Sequence, residues 1–348
     1  MRNEIRHREP VAGWVGVLAL AVGLVVLLMA YLSLGHVSLT PLDLLTGELD
    51  ATYGLLLELR LKRAAMAIGV GASLAVSGCA FQALLRNALA DPFIVGVSGG
   101  AAVGGTLVML PLASLVALGS ALQATVVFAG SFAGALGATV LLFGMSWVRG
   151  MIATNHLLLM GVVFNFFASA VVMFMKSLLV GHRLHEVLFW LMGTLASESV
   201  SWGLVLLVAA IAVWGTMLLS AWGRGLDALA VGEEFAHGTG VDPERLKRRL
   251  FVVAALLVAG AVSIAGFVGF VGLVVPHMMR LVFGARHRLL FALCALGGAF
   301  FLLASDLVAR LITPLVGTQL PVGVLTSLVG GPLFIVMLVR AQRHEVVS

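Results

Sequence analysis

The sequence predicts an all-α polytopic membrane protein, a single bundle of about ten membrane-crossing helices with both termini cytoplasmic. Three observations predict it. Of the 348 residues, 61% are hydrophobic and 11% charged, with a mean hydropathy of +1.12, whereas soluble domains carry about 25% charged residues. The apolar residues fall into runs of the length that crosses a ~30 Å hydrocarbon layer as a helix. The 21 Lys and Arg residues are divided unevenly between the two sides of those runs, as the preference of basic loops for the cytoplasm requires.

The first run, 11–34, follows Arg2, Arg6 and Arg8. It is too long for a signal-peptide core and has no small-residue cleavage site, so it reads as a retained helix. The second spans 64–82. The third, 93–112, opens at Asp91-Pro92, where the aspartate can cap free amides and proline is tolerated in a first turn. Apolar runs at 119–147, 155–176 and 201–222 follow. The nearly continuous stretch 250–284 is divided into 250–266 and 268–284 because Gly266, Gly269, Gly272 and Pro276 interrupt it. The last two spans are 289–307 and 322–340.

With the N-terminus inside, fourteen Lys and Arg lie on cytoplasmic segments. Six lie outside (Arg60, Lys62, Arg63, Lys176, Arg183 and Arg310), and Arg280 falls within a span. That bias supports ten crossings, and it explains the pI near 9.9 as topology rather than nucleic-acid binding. Three polar segments remain: 35–63 and 176–199 outside, and 223–249 inside. A loop as long as the third needs a function in a compact bundle.

The stretch "RNALADPFIVGVSGGAAVGG" (86–105) is rich in glycine, yet it has no lysine placed as in a phosphate-binding loop and no strand pattern before it. Gly96, Gly100 and Gly104 recur every four residues, which suits one helical face approached closely by another backbone. The chain therefore has no nucleotide-binding motif and is not expected to be an enzyme. Cys79 and Cys294 lie in apolar runs and read as small buried hydrophobes. His182, His185 and Glu186 sit in an outer polar segment, which solvation explains more simply than metal binding, and no metal site is expected. Within 223–249, Leu226, Leu229, Ala230, Phe235 and Ala236 could form one apolar face of a short helix beside Glu233 and Glu234. Gly238 and Gly240 then break it, and Asp242-Pro243 starts the next turn.

"VGEEFAHGTGV" (231–241) resembles the coupling-helix sequence of type II ABC importer permeases, the FecCD/BtuC type that includes vitamin B12, iron-siderophore and haem permeases. Residues 59–101, "GFVGFVGLVVPHMMR" (266–280), "SDLVAR" (305–310) and "LPVGVLTSLVGGPLFIVML" (320–338) resemble the same family in the same order. Lys62 departs from it, standing where the family usually has proline between two basic residues.

The resemblance implies the type II ABC importer fold, in which 1–348 is a single permease domain and 223–249 its cytoplasmic coupling segment. It implies a homodimer in the bacterial inner membrane, two ABC ATPase subunits below, and a periplasmic or lipoprotein substrate-binding protein above. ATP and Mg²⁺ would belong to the ATPases, with no cofactor on this chain, and the membrane lipid would be its only other partner. Gly232, Glu233, Glu234, Ala236, Gly240 and Val241 would couple to the ATPase. Arg60, Arg63 and Arg310 would meet carboxylates of the binding protein, where complementary charge fixes register, although snorkelling to the interface is an alternative. Thr154 and Asn155 would narrow the inner mouth of the pathway. Asn165 could face either that pathway or a neighbouring helix. The cargo expected is an iron-siderophore, with haem or cobalamin as alternatives. An ion-coupled transporter would need acidic residues inside spans, and almost all the Asp and Glu here fall in loops. An intramembrane enzyme would need a nucleophile and base at membrane depth, and no such pair is evident.

Overall fold

The structure is a computed structural model of the chain and describes residues 10–34, 51–110, 119–148, 151–152, 154–195, 198–284 and 286–346. Those residues form thirteen α-helices and one small hairpin. They are α1 (Pro10–Ser33), α2 (Ala51–Leu84), α3 (Val97–Met109), α4 (Ser120–Ser146), β1 (Trp147–Val148), β2 (Met151–Ile152), α5 (Thr154–Ser177), α6 (His182–Leu191), α7 (Trp202–Ala221), α8 (Gly223–Val231), α9 (Glu233–Gly238), α10 (Pro243–Ala265), α11 (Val271–Phe283), α12 (His287–Val316) and α13 (Val322–Val346). Each of the ten expected spans coincides with one helix. Among the described residues seven are long and apolar enough to cross a membrane, and α3, α11 and the apolar part of α13 are shorter.

The helices differ in how deeply they are set. Of its apolar span, α2 has 83% of residues buried and α10 78%, against 17% for α1 and 22% for α5. Helix α2 is therefore the axis of the bundle, packed by α7, α10, α11 and α12. The helices α1 and α5 lie at the periphery and turn apolar side chains such as Leu18, Val22, Phe167 and Phe174 outward, as lipid-facing surfaces require. Helix α3 packs chiefly on α4. A Cβ on Gly100 or Gly104 would collide with the carbonyl oxygens of Gly134 and Gly130 on α4, so the two backbones touch there. Gly96 is not on that helical face. It precedes the helix in a left-handed conformation, φ +87°.

Several boundaries depart from expectation. The segment up to Arg63 is not a loop along its whole length, because α2 starts at Ala51 and runs unbroken into the membrane. Leucines at 55, 56, 57, 59 and 61 and the Lys62–Glu58 pair at 2.9 Å favour helix. Lys62 keeps the backbone N–H that a proline would remove. Asp91 caps a turn rather than the helix, with Oδ1 accepting from Phe93 N at 2.8 Å, and α3 begins only at Val97. Helix α10 starts at Pro243 rather than near residue 250. Its N-cap Asp242 accepts from the amides of Glu244 and Arg245 at 3.1 Å, and Leu246 and Leu250 are buried while Arg245, Arg248 and Arg249 are exposed. Helix α12 extends to Val316, so Arg310 lies in a helix and not in a loop. The hairpin joining α4 to α5, with Trp147 paired to Ile152, carries no hydrophobic alternation long enough to have signalled it.

Candidate functional site

Residues 223–238, expected in the cytoplasm, fold as a platform of two short helices, α8 and α9. The single apolar face expected there is divided, because the chain turns at Gly232 and the flanking helices point their apolar residues in different directions. Leu226, Leu229 and Ala236 are buried. Ala230 is exposed, and so are Val231 and Phe235, at 71% and 52%. Val241 N donates to Ala236 O at 3.0 Å, and Gly240, at φ +82°, reverses the chain after α9.

Glu233 and Glu234 also differ. Both are exposed, but Glu233 accepts from Lys247 Nζ at 3.0 Å and lies 3.6 Å from the Arg86 guanidinium. The hydrogen bond from Lys247 holds the Glu233 carboxyl below its ordinary range, against the opposing effect of partial burial. Lys247 also reaches Glu244 at 2.7 Å. Arg86 donates to Leu229 O at 3.2 Å from a left-handed backbone, φ 47°. Platform, α2 and α10 are thus joined by charge-assisted hydrogen bonds, which are stronger than neutral ones. Arg86 and Lys247 were counted in the sequence only as cytoplasmic cations, since nothing in the spacing pairs them with Glu233.

On the opposite side lies a second charge cluster. Asp306 of α12 is fully buried. It accepts two hydrogen bonds from Arg63 at 2.8 and 2.9 Å and one from the Tyr31 hydroxyl at 2.6 Å, so α1, α2 and α12 meet at one carboxylate. Arg60, 6% exposed, donates to Leu32 O. Arg310 stacks on the Tyr31 ring, 4.5 Å from its centroid, and donates to Tyr31 O and Leu34 O at 3.4 and 3.3 Å. The three arginines expected to meet the binding protein are near one another and also engaged within the chain. Arg63 carries the bidentate pair with Asp306. The signal for this was Asp306 itself, an acid in an apolar run, which is rarely left unpaired in a membrane.

The bundle also holds a cavity of about 830 Å³, lined mainly by apolar and aromatic side chains including Phe93, Trp190 and Phe270, with Asp91, Asn165 and Lys176 among its polar members. Asn165 Nδ2 donates to Phe93 O at 2.8 Å, so this residue both faces the cavity and ties α5 to the turn before α3. Thr154 and Asn155 open α5, and their side chains lie outside the described residues, as does that of His182. His185 is exposed and packs against Phe189 at 4.4 Å. Among the described residues no three of His, Cys, Asp and Glu converge as metal ligands.

Burial raises the Asp91 carboxyl from 3.8 to about 6, against the opposing effect of the Phe93 amide. Because the folded value is the higher one, this group's contribution to stability is present below pH 3.8 and is lost as pH rises through about 6. The variant Asp91→Asn keeps an acceptor for the Phe93 amide without the charge. It is expected to match the native protein at acidic pH and to exceed it in unfolding midpoint at neutral pH. Thermal unfolding in detergent across that range checks this.

A nearly all-helical bundle with apolar membrane-length helices and a mainly apolar cavity among them has the build of a transport protein. The chain belongs to the FecCD transport family, whose model matches residues 23–340. It is similar to the hemin transport system permease protein HmuU of Yersinia pestis, 38% identical over 338 residues that cover 94% of this chain and 97% of that protein. It is likewise similar to the cobalamin import system permease protein BtuC of Halobacterium salinarum, 42% identical over 280 residues covering 80% and 72%. Among solved structures it matches a metal-chelate type ABC transporter in an inward-facing conformation, with a TM-score of 0.80 and 29% identity over 93% of this chain and 98% of that one. The chain is an ABC importer permease with the type II importer fold.

Proposed function

We propose that this permease moves a large metal chelate into the cell, an iron-siderophore in the first place, as a homodimer in the bacterial inner membrane. Two ABC ATPase subunits dock below and supply ATP and Mg²⁺, and a periplasmic or lipoprotein binding protein delivers the chelate from above. The chain itself carries no cofactor. The observation that carries this reading is the platform: an exposed apolar pair, Val231 and Phe235, beside the exposed Glu234, on two short helices bonded to α2 and α10 through Glu233. Closure of the ATPases would press on that surface, and the bonded helices would pass the displacement to the bundle as a rigid-body tilt. Thr154, Asn155 and Asn165, at the start and in the first half of α5, would narrow the inner mouth. Haem and cobalamin are the alternative cargoes, since similar permeases are named for each. Against an ion-coupled mechanism, Asp306 is already neutralised by Arg63.

The test is a liposome assay of the chain with its ATPase and with binding proteins loaded with siderophore, haem or cobalamin. The siderophore-loaded protein is expected to stimulate turnover and uptake. The double variant Glu233→Arg with Glu234→Arg places repelling charge beside Arg86 and Lys247 and is expected to cut stimulated uptake by roughly tenfold or more. Stimulation by haem or cobalamin alone would reassign the cargo. An unaffected double variant would remove the platform from the mechanism.

A further inference from the structure

Helices α2 and α12 are 34 and 30 residues long, about 51 and 45 Å at ~1.5 Å per residue, and so extend beyond the hydrocarbon layer at their ends. They are tied to each other along that length. At the outer end Arg63 grips Asp306 through both carboxylate oxygens. Near the middle a Cβ on Gly71 would strike the Gly298 carbonyl oxygen, and one on Gly298 would strike the Gly71 carbonyl oxygen. The two backbones are in direct contact there. About two turns further along α2 and one turn back along α12, Cys294 of α12 touches Cys79 of α2.

Both helices also end on the platform. Arg86, just beyond α2, donates to Leu229 O at 3.2 Å and pairs with Glu233 at 3.6 Å. At the start of α12, Asp227 Oδ1 of α8 accepts the His287 backbone N–H at 3.0 Å and lies 2.7 Å from His287 Nδ1. Beside it, a Cβ on Gly223 would lie 2.5 Å from Arg288 N, so α8 rests directly on the α12 backbone. One carboxylate oxygen with two donors on the same residue fixes the direction of α12 relative to the platform, which a single contact would not.

We infer that α2 and α12 move as one rigid rod joining the cytoplasmic platform to the outer charge cluster, with Asp227 and His287 as positioning residues at its inner joint. This rests on the importer reading above. It assigns relative motion to the loosely buried side of the bundle, such as α5, and none to the contact between α2 and α12.

The complex in liposomes provides two measurements. In the first, His287→Ala, which loses the side-chain donor, is expected to lower the stimulation of ATPase by loaded binding protein at least about fivefold, the low end of coupling between distant sites, with unstimulated turnover unchanged. His287→Asn, whose amide nitrogen stands near the Nδ1 position, is expected to restore most of it, and adding Asp227→Ala to His287→Ala is expected to lower it further, because that also removes the acceptor of the His287 backbone N–H. In the second, spin labels at Leu61→Cys and Leu311→Cys, in a chain with Cys79→Ala and Cys294→Ala, are expected to keep their separation within about 2 Å between nucleotide-free and ATP-trapped complexes. A change of about 5 Å, the scale of a one-turn shift, overturns the rod. Full stimulation in His287→Ala overturns the joint, and so does equal loss of stimulated and unstimulated turnover in both His287 variants. A native complex that no loaded binding protein stimulates overturns the importer reading itself, an outcome distinct from all of these.

Discussion

Replacing Asp306 by alanine is expected to destabilise the chain by about 3–5 kcal/mol, the cost of breaking one side of a buried ion pair. The Arg63 guanidinium would keep its position between α2 and α12 without a counter-charge, and the Tyr31 hydroxyl would lose its acceptor. Arg63→Ala is expected to cost a similar amount, because it strands a carboxylate that has no solvent exposure. The paired change Arg63→Met with Asp306→Leu removes both charges together and is expected to be milder than either single alanine, since desolvation offsets much of the attraction in such a pair. Unfolding of the purified protein in mixed micelles, with the three variants compared at one pH, measures the ordering. A double variant as damaging as the singles would mean that the site depends on shape rather than on charge pairing. The same arrangement bears on binding-protein docking. A partner carboxylate must compete with Asp306 for Arg63, whereas Arg310 meets carbonyl oxygens and a ring and faces no carboxylate among the described residues.

The second large effect is expected at the contact between α3 and α4. Gly104→Leu would drive a side chain into the Gly130 carbonyl oxygen, and backbone cannot move aside as a flexible side chain can. Overpacking of this kind costs typically about 1–3 kcal/mol. It would also displace the helix whose Ser98 and Gly99 line the cavity, so uptake is expected to fall further than stability alone predicts. Gly137 is the control. It lies in the same α4 with open space around its Cβ position, so Gly137→Ala is expected to be neutral or to gain up to about 1 kcal/mol from helix propensity. Parallel measurement of unfolding and uptake on both variants separates close approach from the mere presence of glycine in a membrane helix.

The positions of the spans could be read from the sequence because the requirement is so plain: a run of apolar residues about 20 long has few alternatives to a membrane helix. That is why 155–176 anticipates α5 within a residue or two of Thr154–Ser177. Ends set by polar residues were less legible. Residues 51–63 and 243–249 have the charge content of loops, yet they fold as helical extensions, since Glu58–Lys62 pairing and the Asp242 cap stabilise helix wherever they occur. Family motifs marked the platform and the arginines as important. They did not show that Glu233 and Glu234 have different surroundings, or that Arg63 is held inside the chain.

The sequence by itself determined the class of protein, the approximate positions of the apolar helices and the family, because each of these depends on local composition or on motifs contiguous in the chain. Tertiary structure alone decided the partners of the charges. Tyr31, Arg63 and Asp306, or Asp227 and His287, lie from 32 to 275 positions apart, and no periodicity links residues at such separations. They meet because close backbone packing at Gly71 and Gly298, and of Gly223 against Arg288, brings helix ends together. A buried charge then takes the nearest opposite charge, which only the assembled bundle supplies.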